Sequence, residues 1–82
     1  MKIIGKIGRK HGKNGVVKLI PYPGMNEIFN KISSAFIIIN NGEKYEISDI
    51  RQYTRGRFIG KVNGLGNKIE IEEIRGKSLV IF

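Results

Sequence analysis

Apolar residues in this chain come in short clusters, and the longest uninterrupted one spans only residues 35–39. A membrane-spanning helix needs about 20 consecutive apolar residues, so none is encoded. Short clusters set apart by turn signals instead predict a small all-β domain. Residues 2–7 and 16–20 predict two strands around the segment GRKHGKNG at 8–15. Pro21 and Pro23 end the second strand, because proline has no N–H for a ladder and restricts the residue before it. Residues 26–32 predict a short helical turn, with Met25, Ile28, Phe29 and Ile32 at helical spacing. Asn41-Gly42 after the run at 35–39 is a hairpin signal, since both residues tolerate positive φ. The return strand, 44–53, alternates at Tyr45 and Ile47 and then shifts phase to Ile50, which predicts a bulge near Ser48-Asp49. A second hairpin at Arg55-Gly56 leads into a strand at 57–62.

The final stretch, GLGNKIEIEEIRGKSLVIF at 64–82, fits two patterns. Ile69 and Ile71 alternate with acids as in a strand, while Ile71 and Ile74 share a helical face. Asn67 as a cap, Glu70 and Glu72 in the first half and Gly76 as a stop favour a helix over 67–75, followed by a closing strand at 78–81.

A chain of 82 residues is expected to be one domain, 1–82, burying roughly 60 to 65% of its unfolded surface and leaving no room for a spacious active site. With no cysteine, neither disulfides nor thiolate metal sites can brace it, and apolar packing must. The start lacks a signal-peptide core, so the chain reads as soluble, unprocessed and cytoplasmic.

Net charge is +8, and its placement is uneven. Lys2, Lys6, Arg9, Lys10, Lys13 and Lys18 precede any acid. A second acid-free stretch, 51–68, holds Arg51, Arg55, Arg57, Lys61 and Lys68, while acids gather at Glu43, Glu46, Asp49 and at Glu70, Glu72, Glu73. Such segregation predicts a basic patch facing a polyanion, most often nucleic acid. Tyr22 and Tyr53 are candidates to stack on an unpaired base, and Tyr53 lies between Arg51 and Arg55. Tyr45 and Phe58 read instead as core or cross-strand residues.

The single histidine, His11, sits among glycines and cations. Catalysis by an imidazole needs an orienting partner and a nucleophile, and the loop offers no Ser, Thr, Cys, Asp or Glu. Gly12, Asn14 and Gly15 supply backbone freedom, so His11, Gly12 and Gly15 read as a structural motif in which the imidazole hydrogen-bonds across the loop. One histidine without cysteine makes a metal site improbable, and no glycine cluster has the spacing of a nucleotide cradle. No catalytic residue, metal, cofactor or small-molecule substrate is expected.

Three segments in order, IGKIGRKHGKNGVVKL, PYPGMNEIF and GLGNKIEIEEIRGKSLVI, resemble the N-terminal domain of the RimM family of ribosome maturation factors. The matching positions are Gly5, Ile7, His11, Gly12, Gly15 and Val17, then Pro21 and Phe29, then Gly64, Lys68, Arg75 and Gly76. The resemblance implies a six-stranded closed β-barrel of the translation-factor type with one short helix. It further implies a bacterial, noncatalytic assembly factor that binds the maturing head of the small (30S) subunit, touching 16S rRNA and a ribosomal protein of the head, and assists 16S rRNA processing; a monomer is expected separately. The family's second, PRC-type barrel is missing from this sequence, as in an N-terminal fragment or a short form. Arg9 stands where the family often has glycine, and Lys13 where a hydrophobic residue often follows His-Gly. The loop is thus more basic than the resemblance requires, which points to Arg9, Lys10 and Lys13, with Arg55 and Arg57, as the RNA- or ribosome-binding set. The alternative is a generic RNA-binding barrel of the OB or SH3-like kind.

Overall fold

A computed structural model describes residues 1–12, 14–39, 42–63 and 71–82. The elements in chain order are β1 (Lys2–Lys10), β2 (Val16–Pro21), α1 (Asn26–Lys31), β3 (Ala35–Ile38), β4 (Lys44–Thr54), β5 (Arg57–Val62), α2 (Ile71–Ile74) and β6 (Ser78–Ile81). All six strands join in one closed antiparallel barrel, ordered β1-β2-β5-β4-β3-β6. Closure gives every strand two partners, so the sheet has no free edge.

The interior is filled by inward residues of all six strands, including Ile4, Ile7, Val17, Leu19, Ile37, Ile47, Phe58, Val62 and Leu79. Phe58 is core, as its pattern predicted, and Tyr45 packs partly buried against that core. At six residues α1 is too short to be stable alone, and it has no side-chain cap. Tertiary packing holds it: Phe29 is buried and meets the Phe58 ring at 5.1 Å, while Met25, Ile28 and Ile32 lie partly buried against the core.

Local signals resolve where they were expected. Gly42 has φ 84° between β3 and β4, and Gly56 has φ 74° between β4 and β5. The register of β4 against β5 shifts between Ser48 and Arg51, with Asp49 at φ 53°, which is the anticipated bulge. Of the helix expected over 67–75, α2 covers Ile71–Ile74 and buries Ile74, and residues 67–70 lie outside the described residues, as do Asn40 and Asn41. Among the described residues two short helices therefore accompany the barrel, since Asn26–Lys31 forms a true helix.

One expectation is corrected. β1 continues beyond residue 7 to Lys10, so Arg9 and Lys10 lie on a strand and the connection to β2 shrinks to 11–15. The reason is a register shift between Ile7 and Lys10, after which pairing resumes at Lys10↔Val17. At the shift, Ile7 turns to the segment after α2: its N–H donates to the Lys77 carbonyl (2.9 Å) and its carbonyl accepts from the Gly76 N–H (2.8 Å). Among the described residues no helix is long and apolar enough to cross a membrane.

Candidate nucleic-acid interface

The 11–15 connection owes its shape to three needs for left-handed backbone: Gly12 at φ 70°, Asn14 at 66° and Gly15 at 76°. Glycine meets that need without strain and asparagine with little. The connection is tied at both ends. The His11 N–H donates to the Val16 carbonyl at 2.8 Å, and the Gly15 carbonyl accepts from the Val62 N–H at 2.9 Å.

The His11 side chain, half-buried, contacts the ring of Tyr53, with centroids 4.6 Å apart and planes 52° from parallel. Beyond the hydrogen bonding expected across the loop, this described contact is ring against ring and reaches a different hairpin. A tilted aromatic pair of this kind contributes about 0.5–1.5 kcal/mol beyond its burial. Tyr53 precedes the Arg55-Gly56 turn closely, so the pair joins the segment carrying Arg9 and Lys10 to the end of β4 that leads through Arg55 to Arg57.

Strand register adds cations that loop position did not suggest. Lys6 on β1 stands opposite Ile20 on β2, and Lys18 on β2 stands opposite Ile59 on β5. Two depressions flank this part of β2 and share Lys18 and Ile20. A groove of about 370 Å³ on one side is lined by Lys6, Gly8, Arg9, Lys18, Ile20 and Arg75 among others. A cleft of about 220 Å³ on the other is lined by Lys18, Ile20, Pro21, Tyr53, Arg57 and Phe58 among others. None of the described lining residues of either is acidic. The groove stays open because Gly8 has no side chain: a Cβ there would meet Ile20 Cδ1 at 3.1 Å and the Lys18 carbonyl oxygen at 3.3 Å.

Of the five expected binding residues, Arg9 lines the groove and Arg57 the cleft, while Lys10 and Arg55 are exposed at the end of β1 and in the hairpin turn. Lys13 lies outside the described residues. Lys6, Lys18 and Arg75 join the site although the sequence reading singled out none of them as a contact residue. Lys18 alternates with the buried Val17 and Leu19, a period-two signal that places it on the outer face. Arg75 is partly engaged by Glu72, at 3.7 Å on an exposed surface. Among the described residues no group of three or more His, Cys, Asp or Glu side chains is placed to hold a metal ion.

A surface with this composition can attract phosphates and offer an aromatic face. Residues 2–81 match the family model described as RimM N-terminal domain. A protein of Pseudothermotoga lettingae named ribosome maturation factor RimM is 33% identical over 82 residues, covering 96% of this chain. The chain spans about half, 48%, of that relative's length.

Proposed function

This chain belongs to the RimM family, whose N-terminal domain it matches, and from that premise we propose that it is a noncatalytic ribosome-assembly module of the bacterial cytoplasm. It binds the maturing head of the small subunit as a monomer, through 16S rRNA and a ribosomal protein of the head, and assists rRNA processing without cutting RNA. Arg9, Lys10, Lys13, Arg55 and Arg57 supply contacts to rRNA phosphates, and Lys6 and Lys18 extend them. His11, Gly12 and Gly15 act structurally, shaping the connection between β1 and β2.

The observation that carries this reading is the cationic surface on both sides of Lys18 and Ile20, with no acid among its described lining residues, in a chain of this family. Contacts to phosphate release condensed counterions, so each contributes to the salt dependence of binding. For 16S rRNA fragments of the subunit head, Arg9→Ala and Lys10→Ala should each reduce the slope of log affinity against log salt by about one. Lys44→Ala, on the far side of the barrel, should leave it unchanged. Unaltered slopes in the first two variants would remove these residues from the interface, and failure to retain small-subunit assembly intermediates in a pull-down would remove the assembly role.

A further inference from the structure

Phosphate binding does not account for the cleft between β2 and the β4–β5 hairpin, which is mostly apolar. Ile20, Pro21 and Tyr53 line it at the surface over the buried Leu19 and Phe58, and Lys18 and Arg57 bring positive charge to that lining. At about 220 Å³ it falls below the roughly 300–1,000 Å³ typical of sites for drug-sized ligands or cofactors. A single planar ring is the scale of guest it suits.

Tyr53 is already braced. Its ring is half-buried with His11 against it, so little side-chain freedom remains to be lost when another ring stacks on it. Ile20 is 43% exposed and offers apolar surface beside Lys18. Apolar and aromatic walls flanked by two cations match a base with its adjoining phosphates.

We propose that this cleft receives one unpaired nucleotide of single-stranded RNA, its base against Tyr53 and Ile20 and its flanking phosphates on Lys18 and Arg57. The proposal rests on the RNA-binding reading above and names the form of RNA taken. Duplex RNA fits poorly, because its bases are stacked on one another and present no free face. An acidic peptide is disfavoured as well: all strands of the barrel are paired, so the peptide backbone has no sheet edge to extend.

The test uses the whole chain and three probes carrying equal numbers of phosphates: a short single-stranded oligoribonucleotide, the same strand with abasic positions, and an RNA duplex. The intact strand should bind about tenfold more tightly than the abasic one, the size expected for a stacked base. Tyr53→Leu should abolish that difference and Tyr53→Phe should preserve it. The comparison of strands on the unaltered protein stands even if Tyr53→Leu fails to fold. Equal, salt-dependent affinity for intact and abasic strands overturns the nucleotide site and leaves phosphate binding intact. Tighter binding of the duplex also overturns it, as does tighter binding of polyglutamate of matched charge, which would indicate an acidic protein partner. Absence of salt-dependent binding to any RNA overturns this proposal and the reading beneath it together.

Discussion

The outer surface over β1, β2 and β5 and the one over β3, β4 and β6 are built on the same barrel and treat their polar groups in opposite ways. On the β3–β4 side, polar side chains are matched within the fold. The Tyr45 hydroxyl donates to Glu43 Oε2 at 2.9 Å, and Asn63 Nδ2 donates to Glu46 Oε1 at 3.0 Å. Lys44 Nζ lies 4.8 Å from the centroid of the Phe82 ring, which in turn meets Phe36 at 5.6 Å. On the β1–β2–β5 side, Lys6, Arg9, Lys18 and Arg57 line two depressions with no acid among the described lining residues. The barrel needs no charge for its stability, since its core is apolar and none of the described buried residues is polar or charged. Cations can therefore be concentrated on one surface without burdening the core.

That contrast is broken most severely through the core both surfaces share. Phe29 plugs the barrel against Phe58, and Phe29→Ala should cost about 3–5 kcal/mol of stability. In chemical denaturation both faces should be lost in one transition. Two separated transitions would show that they do not rest on a common core.

His11→Ala should act on one side alone. Losing the contact with Tyr53 should lower stability by about 1 kcal/mol. Amide exchange should quicken at 9–15 and 53–57 and stay unchanged in β3. Uniform acceleration throughout the chain would mean that the pair supports the whole barrel and not the basic surface.

The smallest effect belongs to the other side. The hydrogen bond to Glu43, aided by partial burial and the negative charge of Glu43 and Glu73, holds the Tyr45 phenol above its ordinary pKa of 10.0. A folded-state pKa raised above the unfolded value means that the neutral phenol stabilises the fold fully below that unfolded value. The contribution then fades as pH climbs through the folded pKa. The stability advantage of the native chain over Tyr45→Phe should accordingly shrink above pH ~10. A difference that stays level through that range would show that the bond to Glu43 does not favour the protonated form.

Much of the architecture was legible because its determinants are local. Asn41-Gly42 and Arg55-Gly56 announce hairpins through backbone preferences of adjacent residues, and the phase change from Ile47 to Ile50 announces a bulge. The end of β1 was not legible, since Gly8, Arg9 and Lys10 offer no apolar alternation and pairing resumes only after a register shift. The site was legible in part. Arg9 and Arg57 could be singled out by charge, whereas Lys6, Lys18 and the cleft beside Tyr53 depend on which strands lie side by side.

The sequence by itself determined the alternation of strands and turns, the residues that must face inward, and the separation of cations from acids along the chain. Only the tertiary structure decided that β2 pairs with β5, that β6 closes the barrel between β1 and β3, and that His11 meets Tyr53. The physical reason is range. A turn is selected by the φ preferences of a few neighbouring residues, whereas strand order is selected by burying every apolar face at once and leaving no edge unpaired, a condition that no local segment satisfies alone.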